Sequence, residues 1–187
     1  MPAVVSIIAI TFALGLIAET VMADHNDPRL GELFQQLHDV DSVEDSMPIE
    51  NLIWSIWAQS DSDTVDLLME KGLGAIQNRD FDAALTIFNS IVEIKPDFAE
   101  GWNKRATLYY LVLMGRHEES LKDIDRVILI EPRHFGALSG AGLVNMALKR
   151  PEDALKAFKR ALDANPHMPS TQARVKLLKQ FIEGRKI

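Results

Sequence analysis

From Ala99 to Pro132 the chain reads AEGWNKRATLYYLVLMGRHEESLKDIDRVILIEP. This stretch holds two amphipathic runs, parted by the polar break Gly115-Arg116-His117 and closed by Glu131-Pro132. Trp102, Ala106 and Tyr109 recur at helical spacing in the first run, and Ser120, Ile124 and Val127 in the second. The residue ahead of a proline is pushed away from helical geometry, so the second helix ends before Pro132.

The same pattern repeats on both sides. Lys95-Pro96 and Asn165-Pro166 lie 36 residues before and 34 residues after Glu131-Pro132. Periods of this size mark stacked helical units. Aligning Val65–Phe98, Ala99–His134 and Phe135–Met168 gives each segment two amphipathic runs around a polar break: Asn78-Arg79-Asp80, Gly115-Arg116-His117 and Lys149-Arg150-Pro151. Pro151 suits the first turn of a helix, where its missing N–H costs nothing. The small residue of the first helix falls at Gly72, Ala106 and Gly142, and that of the second at Ala84, Ser120 and Ala154. Four residues further on stand Phe88, Ile124 and Phe158, then Ile91, Val127 and Ala161. A close helix crossing needs a small residue at the contact and a large one beside it to fill the groove.

These residues resemble the tetratricopeptide repeat, whose pattern is W-x2-L-G-x2-Y, then A-x3-F, then P. The middle unit matches at Trp102, Ala106, Tyr109 and Pro132; the outer units match at Gly72, Ala84, Phe88 and Pro96, and at Gly142, Ala154, Phe158 and Pro166. The Trp position is Leu68 or Leu138 in the outer units, and the Tyr position is Ala75 or Asn145. The resemblance covers 65–168 and implies an all-α, right-handed α-solenoid of stacked antiparallel helix pairs. The expected organisation is three units at 65–98, 99–134 and 135–168, a helical hairpin or degenerate repeat at 24–64, and a capping helix at 169–187.

The middle unit is longer by two residues, placed within Leu111–Met114, an apolar run that reads either as extra packing or as a partner contact. A stack leaves an apolar face at each end and needs terminal caps. Val175, Leu178 and Ile182, widened by Leu177 and Phe181, give 171–182 one apolar face. Pro28–His38 and Pro48–Gln59 read as two helices around an acidic turn, Asp39–Ser46. One period before Val65, Trp54 and Trp57 take the places of Phe88 and Ile91, while His38 and Glu50 fall at the small-residue positions.

The first 23 residues predict something separate. Pro2 to Ala18 carries no charge, and Val21-Met22-Ala23 ends as a signal cleavage site does. Cleavage after Ala23 and export to the periplasm or beyond is the expectation; a retained membrane anchor is the alternative, since the run reaches the lower length for a span. No Lys or Arg precedes it.

The chain has 187 residues, no Cys and a formal net charge of −7. Disulfides and thiol chemistry are therefore excluded, and nucleic-acid binding, which needs a basic surface, is not expected. None of His25, His38, His117, His134 and His167 are four apart, so no metal-binding helix face is present. Asp61-Ser62-Asp63 begins like a calcium loop, but Asp66 replaces the required Gly and Gly72 the closing Glu. No nucleophile is paired with a base. The sequence predicts a non-enzyme with no cofactor and no metal.

In the family that the chain resembles, the first helices of successive units line a concave groove that holds a partner peptide or helix. The corresponding positions are Met69, Leu73 and Ile76, after Asp66; then Glu100, Asn103, Thr107 and Tyr110; then Gly136, Ser139, Gly140, Leu143 and Met146. Some members clamp a C-terminal carboxylate with cations, whereas Met69, Leu73 and Gly140 stand at clamp positions here. The implied partner is a protein or peptide of apolar or amphipathic character. The groove could equally be filled by the chain's own N-terminal helices. Charge offers another reading. Asp24–Thr64 carries ten acidic residues and one basic, and Lys149–Ile187 ten basic and four acidic. That asymmetry permits self-assembly through opposite ends. Carriage of a small hydrophobic ligand is a third possibility.

Overall fold

A computed structural model describes residues 27–113 and 115–184. The signal-like segment with its Ala23 site, His25, Met114 and the last three residues lie outside that range. The described residues form nine α-helices and no strand: α1 Pro28–Asp39, α2 Val43–Trp57, α3 Asp63–Gln77, α4 Phe81–Ile94, α5 Ala99–Leu111, α6 His117–Ile130, α7 Phe135–Ala147, α8 Pro151–Ala164 and α9 Pro169–Gly184.

Local chemistry explains where they start and stop. Asp27, Ser42, Ser62 and Asp80 each accept a hydrogen bond from a backbone N–H in the first turn of the helix that follows. Pro28 and Pro151 sit in first turns. Arg79 and Lys149 adopt left-handed backbone, each with φ of 59°. This ends α3 and α7 and reverses the chain into α4 and α8.

The three pairs α3–α4, α5–α6 and α7–α8 pack successively, each on the one before. Each pair crosses at the small residues read from the sequence. A Cβ on Gly72 would lie 2.8 Å from the Phe88 ring, and one on Gly142 would overlap the ring of Phe158. In the middle pair the buried Ser120 hydroxyl donates to the carbonyl of Ala106 at 2.8 Å. Phe88, Phe158, Ile91 and Val127 are fully enclosed, and each such side chain stabilises by about 1.5–3 kcal/mol. Arg105 adds a polar tie. It donates twice to Asp123 on α6, both at 2.7 Å, and once to Asn89 on α4 at 2.9 Å.

The extra pair in the middle unit closes α5: Val112 and Leu113 pack against the core around Phe88, whereas Leu111 is 66% exposed. At the C-terminus, Val175 and Leu178 of α9 cover Ala154 and Phe158. Leu177 and Phe181 do not join them; they are 65% and 55% exposed.

The N-terminal hairpin departs from the expected geometry twice. Helix α2 begins at Val43 rather than Pro48, because the Ser42 side chain accepts from Asp45 N–H and Glu44 and Asp45 favour the positive helix end. Pro48 then lies within the helix, and the acidic turn shrinks to 40–42. Moreover, α1 and α2 do not stack ahead of α3. Their apolar core of Leu30, Leu33, Phe34, Leu37, Ile53 and Trp57 is completed by Phe135, with Ala164 and Met168 alongside, all from the third unit or its end. His38 Nε2 reaches the carbonyl of Asp163 at 2.9 Å. His38 and Glu50, at the positions where a unit needs small residues, rule out the close crossing that stacking requires.

Candidate functional site

Helices α5 and α7 run side by side and enclose a depression of about 280 Å³. Asn103, Thr107 and Tyr110 face it from α5, and Gly136, Ser139, Gly140 and Leu143 from α7, with Leu111 at the rim and Met168 at one end. Seven of the expected groove residues therefore meet in one place. Gly140 leaves main chain accessible: the nearest atom to a Cβ there would be Ile124 Cδ1 at 3.7 Å. Thr107 donates to the Asn103 carbonyl, and the hydroxyls of Ser139 and Thr171 lie 3.2 Å apart.

The other expected residues lie elsewhere. Met69 and Ile76 pack partly into the core beneath α3 and α4, and Leu73 stands exposed on α3 away from the depression. Met146 lines a second, larger depression of about 600 Å³ between α7 and α9, with Leu177, Leu178 and Phe181. Leu177 stands one 34-residue period after Leu143, so extending the register to α9 would have found it.

Glu100 is not open for a partner. It is buried, accepts from His134 Nε2 at 2.8 Å, from Asn103 at 2.9 Å, and pairs with Lys104 at 2.9 Å. Ala137 N–H donates to His134 Nδ1, so the ring proton sits on Nε2 and points at the carboxylate. Burial pushes the Glu100 carboxyl up, but the His134 hydrogen bond and the Lys104 ammonium outweigh it and bring it to about 2.

Above this cluster sits the N-terminal hairpin. Trp54 covers the start of α7: a Cβ on Gly136 would lie 2.6 Å from Trp54 Cη2. Lys104 Nζ is 6.0 Å from the Trp54 ring centre, and Arg133 lies 4.3 Å from that of Phe34. The hairpin thus walls off one end of the groove while the middle stays open. No periodicity in the sequence signals that contact, because it joins elements from opposite ends of the chain. Among the described residues no three His, Asp or Glu side chains gather as a metal would need, and no helix is long and apolar enough to cross a membrane.

The tetratricopeptide repeat family matches this chain over residues 110–169. A TPR repeat-containing protein of Rhizobium etli is 38% identical over 158 residues, spanning 84% of this chain and 76% of that protein. Among solved structures, the Sgt2 TPR domain from Aspergillus fumigatus superposes with a TM-score of 0.60 at 20% identity, covering 67% of this chain and 83% of that one. The first TPR of Spaghetti (RPAP3), bound to the HSP90 peptide SRMEEVD, does so with a TM-score of 0.60 at 19% identity, covering 64% and 93%. With stacked helical pairs, small-residue crossings in register and a relative of this similarity, the chain belongs to the tetratricopeptide repeat family.

Proposed function

We propose that the protein is a non-catalytic adaptor that receives an apolar peptide or amphipathic helix of a partner protein between α5 and α7. The observation that supports this reading is the depression itself. Bare main chain at Gly140, half-buried Leu143 and the polar groups of Asn103, Thr107, Tyr110 and Ser139 meet on one open surface. Such a lining offers contact area to an apolar side chain and hydrogen bonds to a peptide backbone.

The RPAP3 relative in fold is bound to a peptide that ends in a carboxylate. Here Met69, Leu73 and Gly140 occupy the positions at which some family members place clamp residues, so the apolar lining carries recognition instead. We place the protein in the cell envelope, on the strength of the apolar run 4–17 and the Ala23 site. Sequencing the mature N-terminus tests this; a start at Met1 defeats cleavage.

The functional test is crosslinked pull-down from the native envelope with the wild type and Gly140→Leu. The Leu side chain would fill the depression while the helix is retained. Loss of a specific protein partner is the expected result, and equal recovery by the variant refutes the assignment.

A further inference from the structure

In the second and third units, the face of the first helix that looks back along the stack is covered by the unit before it. A Cβ on Gly101 would meet Ile91 at 2.6 Å, and Leu108 is buried in the same core as Ile91 and Phe88. Ala137 and Val144 are likewise buried with Ile124 and Val127. The same register positions in the first unit are Leu67 and Gly74. Leu67 is 51% exposed, and a Cβ on Gly74 would meet nothing within 4 Å. The face is open because α1 and α2 dock on the third unit. Asp63 and Glu70, one turn to either side of Leu67, are exposed and form no ion pair among the described residues.

The opposite end of the stack carries the complement. The 600 Å³ depression between α7 and α9 has Met146, Leu177 and Phe181 on its apolar lining and Lys149 and Arg174 at its edge. Neither cation is engaged in an ion pair among the described residues. One end thus presents a leucine with two carboxylates and the Lys71 ammonium around it, a net negative rim, and the other an apolar seat flanked by cations. We propose that a second copy of this chain occupies that seat, with Leu67 entering it and Asp63 and Glu70 meeting Lys149 and Arg174. The contact is head-to-tail, so each added copy leaves both ends available and association continues into open chains. Exposed ion pairs hold little by themselves, so burial of Leu67 supplies the affinity and the charges set the orientation. The seat shares no lining residue with the α5–α7 depression.

The test is sedimentation velocity of the full chain over a concentration series at low and high ionic strength. Circular dichroism confirms that each variant is folded. The wild type is expected to associate with rising concentration, and less so in high salt. Leu67→Ser, Asp63→Lys with Glu70→Lys, and Lys149→Glu with Arg174→Glu are each expected to sediment as monomers alone. Mixing the two charge-reversed proteins restores opposite signs at both contacts and is expected to restore association. A wild type that stays monomeric throughout, variants that associate as the wild type does, or a mixture that stays monomeric would each overturn the proposal.

Discussion

The indole of Trp57 lies flat on the imidazole of His134, with ring centroids 4.2 Å apart and planes 10° from parallel. That stack joins α2 to the turn before α7. It is surrounded by Trp54, Phe135 and Phe34 in edge-on or tilted contacts. Because His134 also holds Glu100, the hairpin, the turn and the second unit share one buried cluster.

Truncation at Trp57 therefore reaches beyond the hairpin. Trp57→Ala is expected to cost about 3–5 kcal/mol, the usual range for deleting a buried large aromatic. Trp57→Phe keeps a ring on His134 and removes an indole N–H that is buried without a partner. It is expected to cost less than about 1.5 kcal/mol. Urea denaturation of the two variants beside the wild type checks the difference; equal losses would contradict the stacking account.

Acid should loosen the same cluster. The Glu100 carboxyl lies at about 2 in the folded protein against 4.5 for the free group. A lowered carboxyl contributes stability that is complete above the unfolded value and is lost as pH falls through the folded one. The window is therefore pH 4.5 down to about 2. Glu100→Gln is expected to be less stable at neutral pH and to show a flatter stability profile across that window. Urea midpoints measured from neutral pH downward read this directly.

Two glycines of α7, two residues apart, should respond in opposite directions. A Cβ on Gly140 meets only Ile124 at ordinary contact distance, so Gly140→Ala is expected to stabilise by up to about 1 kcal/mol through helix propensity. Gly142→Ala would push into the enclosed Phe158 ring and is expected to cost about 1–3 kcal/mol. Thermal melts of both variants separate propensity from packing.

At the second-helix crossings, Ala84→Leu and Ala154→Leu are expected to cost about 1–3 kcal/mol each, since both alanines are wholly buried beside Phe88 and Phe158. Neighbouring units share their interfaces, so the loss should appear as one cooperative transition shifted to lower denaturant.

The paired helices could be read from the chain because their causes are local. Gly72 and Gly142 each stand 16 residues before the ring they cross, Phe88 and Phe158, Ser120 stands 14 residues after Ala106, and the prolines end each second helix in place. Asn103, Thr107, Tyr110 and Leu143 came together for the same reason: stacking carries the repeat period onto one surface. Met69 and Ile76 share the register but lie outside the α5–α7 depression, packed partly against the core around Phe88.

The repeated unit is written in local order along the chain, since helix length, crossing and turn depend on residues within about three dozen positions. The places of Trp54 and Trp57, the burial of Glu100 with His134 and the outward face of Leu67 follow from contacts made after the units have folded. Those outcomes depend on which distant surface offers the better-packed seat for a large aromatic hairpin. No spacing along the chain encodes that choice, because hydrophobic burial has no direction and is settled by the shapes that the folded units present.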